Sequence, residues 1–349
     1  AWTLPIGKLY PDGGNNIVNL INSITTARTV TIDVPVCLNS LSVGSSAAFL
    51  FTLAASGSGI LIFTDFKTPS GAVFNNSRSN SYSCPMRFDV PVTIDSNGSS
   101  GGDFTCTGSL TGNGNMIRTN SFSTVEIARF DNILSTYTGQ IIIRQGTISI
   151  RGTSNISNSH QTIILGDSNS VSNGLAKTIH LTTGTYAHNF DCTQAAGAAS
   201  GTVSRPKIIC YDGNVTLNGN INFGNSTSAY QNIRIDIGAF DTGTYLTING
   251  VITGSSAGSG FNGTIAIGGS NSNHNGAFVC LTNSSNNWGA SQALIVVKGS
   301  LLVRGNANST GVLGTATSST ALQMGDGSAA WTDTVVILID TGNFTQSKH

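Results

Sequence analysis

Short apolar runs, mostly β-branched, are punctuated along this chain by glycine rather than by charge. The clearest case is residues 294–305 (LIVVKGSLLVRG), and the same pattern stands 153 positions earlier at residues 141–152 (IIIRQGTISIRG). Both carry two glycines six apart, an Arg before the second, a hydroxyl residue after the first, and aliphatic residues nearly everywhere else. Residues 208–219 (IICYDGNVTLNG) keep both glycines, and residues 179–190 (IHLTTGTYAHNF) and 337–348 (ILIDTGNFTQSK) follow the plan more loosely. Aliphatic and β-branched residues on either side of a glycine read as strand, sharp corner, strand, because glycine takes positive φ without steric cost. Each close copy is therefore expected to form two short parallel strands about a corner, at Gly146, Gly213 and Gly299. A unit that recurs and cannot bury its apolar face alone must be covered by the next one, which predicts a solenoid.

Residues 1–26 break this pattern. Pro5, Pro11 and the Gly13-Gly14 pair interrupt them, and aliphatic residues at 17, 18, 20, 21 and 24 have a short helical period. The end coil of a solenoid needs a cover, so this segment is expected to be an N-terminal cap or a donor arm, with residues 27–349 as a parallel β-helix rod. Trp2, Leu4, Ile6, Leu9 and Tyr10 form an alternating, Pro-interrupted run suited to lying as an extended strand on the open coil of another copy. From residue 27 strand-like runs follow closely, and TIDVPVCLNS (31–40) is echoed by FDVPVTIDSNG (88–98). Residues 68–83, rich in Ser and Asn, are expected to be a lateral polar loop.

Composition narrows the function classes. Charged residues make up 9% of the chain, apolar residues 39%, and there are 42 glycines, which argues against both disorder and helices. The formal net charge is zero, so neither nucleic acid nor an anionic membrane has a basic field to bind. Apolar runs are strand length, too short for a membrane helix. The chain begins at Ala1, as a mature secreted product would, and the six cysteines lack metal-binding spacing. Cys84 with Cys106 and Cys192 with Cys210 are the disulfide candidates, since each pair is close in sequence and flanks Gly-rich loops. Cys37 and Cys280 lie inside strand-like runs, where a free thiol is at least as reasonable.

An Asn, an aromatic and a glycine (Asn132, Tyr137, Gly139), then a strand, then Gly146-Thr147 and a second strand, resemble the autotransporter-associated β-strand repeat of secreted bacterial passenger domains. Asn287-Trp288-Gly289 before LIVVKGSLLVRG is similar, and residues 312–327 (VLGTATSSTALQMGDG) resemble that repeat's continuation. The resemblance covers about a third of the chain. It implies an all-β fold, a right-handed parallel β-helix exported to the cell surface, and it supplies no catalytic residue. No C-terminal series of alternating membrane strands follows the repeats.

Candidate chemistry is sparse. Asp191 near His188, Asp212 near Cys210, and Asp33, Asp89 and Asp95 are the acids an enzyme would need to bring together across a cleft. Their contexts (TID, YDG, FDT) are those of Asx turns, which favours a structural role. His180 and His188, eight apart across a glycine, could face each other from adjacent strands, but no third metal ligand accompanies them. No cofactor is expected. The function expected is therefore a non-enzymatic extracellular structural protein, a rod that self-assembles end to end into a fibre, sheath or layer. A surface adhesin or carbohydrate-binding passenger, including a phage fibre, is the alternative, and a polysaccharide-degrading β-helix the third.

Overall fold

The computed structural model describes residues 16–21, 24–44, 49–64, 71–96, 103–120, 127–151, 162–167, 177–192, 206–222, 234–239, 244–253, 264–267, 278–283, 285–286, 294–296, 299–303, 322–324 and 335–339. They contain strands and turns and no helix, and the strands pair in parallel. The chain is a parallel β-helix. It divides into one unit of residues 1–142 and 146–151, and a second of residues 143–145 and 152–349.

In the first unit the chain visits three sheets in turn, one strand in each per coil. The first coil is β1 (Ile17–Leu20), β2 (Arg28–Ile32) and β3 (Pro35–Leu38); the second is β4 (Ser40–Val43), β5 (Phe51–Ala55) and β6 (Ile60–Phe63). The third is β7 (Ala72–Asn76), β8 (Ser81–Tyr82) and β9 (Met86–Phe88); the fourth is β10 (Val92–Ser96), β11 (Phe104–Cys106) and β12 (Leu110–Gly112). The fifth is β13 (Met116–Asn120), β14 (Ile127–Phe130) and β15 (Ile133–Tyr137), and the sixth opens with β16 (Ile141–Ile143) and β17 (Gly146–Ile150). Side chains alternate across each strand, so like positions stack in columns from coil to coil. Phe74, Ile94 and Arg118 form one inward column, and Asn75, Asp95 and Thr119 run outside it. Seven aromatic contacts continue the interior, among them Phe63–Phe88 at 5.2 Å, Phe74–Tyr82 at 5.0 Å and Phe104–Phe130 at 6.1 Å. Such edge-to-face contacts each add about 0.5–1.5 kcal/mol to the burial of the rings.

In the second unit one of the sheets branches. Its strands are β18 (Ile163–Leu165), β19 (Lys177–Tyr186), β20 (Phe190–Asp191), β21 (Pro206–Leu217), β22 (Ile221–Asn222), β23 (Arg234–Ala239), β24 (Tyr245–Ile248) and β25 (Ile252–Thr253). There follow β26 (Thr264–Ile267), β27 (Phe278–Leu281), β28 (Leu294–Val296), β29 (Gly299–Val303), β30 (Leu322–Met324) and β31 (Val335–Ile339). The long strand β21 pairs through its first half with β23 and through its second half with β24, which turns one sheet into two adjoining columns. One column continues β23-β26-β28-β30, and the other β24-β27-β29-β31.

The expected strand pairs are present at 141–152 and 294–305, where Gly146 (φ 85°) and Gly299 open the second strand. In 208–219 the bend at Gly213 (φ 65°) lies inside β21, next to a register shift in its pairing with β19. The copies occupy different places: 141–143 lies in the β10-β13-β16 sheet, whereas 294–296 follows β26. Apolar, glycine, apolar fits any corner between flat stretches, so the pattern marks corners rather than equivalent coils. The echo of VPV behaves likewise, since Pro35–Leu38 is in the third sheet and Val92–Ser96 in the first.

Two local expectations are corrected. Residues 17–20 form a strand, not a helical turn, because Val18 alternates with exposed neighbours and all four residues pair with β4. Pairing along a β-branched segment outweighs a helical spacing of four or five aliphatic residues. Residues 68–83 contain β7 and β8, because Ala72, Phe74 and Asn76 point inward at alternate positions and Asn replaces an apolar residue where a hydrogen-bond partner waits.

Candidate functional site

Acid chemistry has no centre among the described residues. Asp33 follows β2, Asp89 follows β9, and Asp95 stands on the outside of β10, so the strand-end acids are dispersed over three sheets. Asp89 is held by the guanidinium of Arg87 at 2.8 Å, Asp131 by Arg129 at 2.6 Å, and Asp167 by Arg144 at 2.8 Å. The hydrogen bonds that Arg87 donates to the Asp89 carboxylate raise the Arg87 pKa. No group of three or more His, Cys, Asp or Glu residues able to hold a metal occurs among the described residues. His180 and His188 do not face each other. The chain continues through Gly184 as the single strand β19, with His180 stacked on Tyr211 at 4.9 Å and His188 buried beyond the strand's end. Asp191 closes β20, and Asp212 is exposed within β21.

No disulfide joins any of the six cysteines in the structure. Cys84 and Cys106 face the interior on neighbouring coils, and burial pushes the Cys84 thiol up to about 12 and the Cys106 thiol upward as well. Cys192 follows β20, whereas Cys210 lies in β21 and donates its S–H toward the Gly213 carbonyl at 3.4 Å. Burial raises the Cys192 thiol too. These thiols are protected rather than reactive.

What the fold does build is surface order, in three forms. The first is a corner column of asparagines preceding the strands of the β1-β4-β7-β10-β13-β16 sheet, and its counterpart in the second unit. Asn16 and Asn39 donate their side-chain amides to the carbonyls of Cys37 and Gly71, and the Asn115 side chain accepts from the Gln140 amide at 3.0 Å. In the second unit Asn189 accepts from Asn220 N–H at 2.8 Å, Asn220 from Val251 N–H at 2.9 Å, and the buried Asn286 from Ile252 N–H at 2.8 Å. Each bond ties one coil to the next where the backbone ladder is interrupted.

The second is a grid on the outside of β2, β5, β8 and β11. The chain there reads Thr29-Val30-Thr31, Thr52-Leu53-Ala54, Ser81-Tyr82-Ser83 and Thr105-Cys106-Thr107, with the flanking residue of each triplet outward. Thr29, Thr52, Ser81 and Thr105 stack in one column without a register shift. Thr31 and Ala54 pair directly, and the bonds Ser83 N–H to Leu53 O and Thr107 N–H to Tyr82 O continue the second column. Columns of hydroxyls and methyls thus repeat about 4.8 Å along the stack and about 6.6 Å along each strand. The next coil ends the grid with the Arg129–Asp131 ion pair. Sequence reasoning missed these triplets because corners of unequal length separate them; hydroxyl, apolar, hydroxyl was the available signal.

The third is the open edge of the first coil. Among the described residues β1, β2 and β3 each pair on one side only, with β4, β5 and β6. Ile17 and Ile21 are 67% and 57% exposed there, and Phe49 and Leu50 are exposed on the segment entering β5. Trp2, Leu4, Ile6, Leu9 and Tyr10 lie outside the described residues, as do Asn287-Trp288-Gly289. No helix among the described residues is long and apolar enough to cross a membrane. No protein-family model, curated protein or solved structure matches the chain.

Proposed function

We propose that the protein is a non-enzymatic extracellular structural protein whose β-helix joins end to end with further copies to build a fibre, sheath or surface layer. The observation that carries this reading is the first coil. Three strands whose one edge has no partner among the described residues, beside Ile17 and Ile21 at the surface, form an edge that natural β proteins cover or charge. The last described strand supports it: β31 is five consecutive aliphatic residues (VVILI), paired among the described residues with β29 alone. Parallel strands at both ends let a head-to-tail contact extend the same ladder, and a heterologous contact of that kind propagates as a filament.

Sedimentation velocity across a concentration series tests the reading. The wild-type chain is expected to form a ladder of multimers, and Ile17→Lys with Ile21→Lys, which charges the edge, is expected to abolish it. A wild-type chain that stays monomeric at every concentration overturns the proposal. Removing residues 1–15, which leaves β1 in place, separates the roles of that segment: loss of multimers assigns it the donor strand, and retention makes it a cap.

The adhesin reading has one observation in its favour. Tyr245, 43% exposed, stacks on Phe278 at 5.0 Å with the ring planes 7° apart, an aromatic surface of the sort a sugar ring lies against. Retardation of the wild-type chain, and not of Tyr245→Ala, in polysaccharide-containing gels would favour it.

A further inference from the structure

The hydroxyl grid on β2, β5, β8 and β11 is periodic in two directions, and a ligand that uses all of it must be periodic too. We infer that this face binds ice, with the outward Thr, Ser and Ala side chains of four coils engaging a crystalline water lattice. The elimination runs through the chemistry of the face. No charged side chain stands in the two columns before Arg129 and Asp131, so a mineral surface, which needs carboxylates or cations, is not matched. No aromatic side chain points outward there: Tyr82, the ring within the triplets, is fully buried, so a polysaccharide lacks the stacking surface that holds sugars. Four triplets about 10 Å long on strands about 4.8 Å apart present about 190 Å², well under the roughly 800 Å² per partner of a stable protein interface.

Water as a lattice needs none of those. The repeats of about 4.8 Å and about 6.6 Å are set by the strands themselves, and a crystalline water lattice is a ligand that repeats in two directions on the same few-ångström scale. A threonine offers a hydroxyl to the lattice and a methyl that rests in it. The side chains are already ordered: β5, β8 and β11 are hydrogen-bonded along both edges, and β-branched Thr has few χ1 states, so binding fixes little that was free. Ser83 is held further by its own bond to the Leu53 carbonyl at 3.4 Å.

The inference does not rest on end-to-end assembly. Ice recrystallisation in sucrose solution, followed by cold-stage microscopy, tests it on the full chain. The wild type is expected to arrest crystal growth where an equal mass of serum albumin does not. Thr52→Lys with Thr105→Lys, which breaks the grid at its centre, is expected to need at least about tenfold more protein, about 1.4 kcal/mol of binding. Thr93→Lys, on the outer side of β10 in another sheet, and the Ile17→Lys, Ile21→Lys chain are expected to act like the wild type. Circular dichroism checks that each variant keeps its strands; should the central pair not fold, Thr107→Lys at an exposed position replaces it. A wild type no better than albumin overturns the inference. So does a folded grid variant as active as the wild type, or a grid variant that loses lateral self-association in sedimentation while ice growth is unaffected by either chain.

Discussion

Asn80→Ala removes a side chain whose bonds hold the corner between β7 and β8. Asn80 is 2% exposed; its Oδ1 accepts from Phe51 N–H at 2.8 Å, and its Nδ2 donates to Asn76 Oδ1 at 3.0 Å and to the Ser77 carbonyl at 3.2 Å. The corner is already strained, since Arg78 sits at φ 90°, the positive-φ region that non-glycine residues avoid. Alanine strips the acceptor from the Phe51 N–H on a residue only 6% exposed, at about 1–2 kcal/mol, and deletes two further bonds at about 0.5–1.5 kcal/mol each. The expected loss is about 3 kcal/mol. Tyr82→Phe deletes one bond, from the Tyr82 hydroxyl to Asn76 Oδ1 at 2.7 Å, and Asn80 still donates to that acceptor, so its expected cost is about 1 kcal/mol. Because both bonds end on Asn76 Oδ1, the two substitutions are expected to couple rather than add, by about 1 kcal/mol. Because stacked coils need not unfold as one, amide exchange of Phe51 and residues 76–82 across a urea series is the readout rather than a single midpoint. A cost for Asn80→Ala below about 0.5 kcal/mol, or a larger cost for Tyr82→Phe, refutes the reasoning.

Three other outcomes follow from the interior. Peptide mapping of native material, alkylated in denaturant without reductant, is expected to recover Cys84, Cys106, Cys192 and Cys210 all alkylated; a linked Cys84–Cys106 or Cys192–Cys210 pair would contradict the buried thiols described above. Stability is expected to be flat through neutral pH and to fall above about pH 9, by about 1.4 kcal/mol per pH unit for each buried acid. The sign follows because burial raises the folded pKa of Cys84 and Tyr82, so the unfolded chain loses those protons first; stability that rose between pH 9 and 11 would contradict it. Gly114→Ala is expected to open the coil locally, since an added Cβ would overlap the Val90 carbonyl, and thermal melting unchanged from wild type would count against the stacking of these corners.

The fold class was legible because glycine corners and β-branched runs are local signals, readable at 141–152 without knowing what lies beside them. Placement in the coil was not. The VPV echo falls on different sheets because any pleated surface accepts the same alternation, and only pairing between distant residues decides which sheet a strand joins. Polar interior positions were invisible for the same reason: Asn76 and Asn80 look like loop residues until Tyr82 and Phe51 supply their partners. The outward triplets and the corner asparagines share this property, since each takes its meaning from the coil above it.

Fibre diffraction from an aligned specimen of the assembled protein tests the central claim, that coils stack along the axis on which copies join. A strong meridional reflection at about 4.8 Å, the spacing between hydrogen-bonded strands, is the expected result. The same reflection on the equator, or material that yields no filament to align, would contradict it.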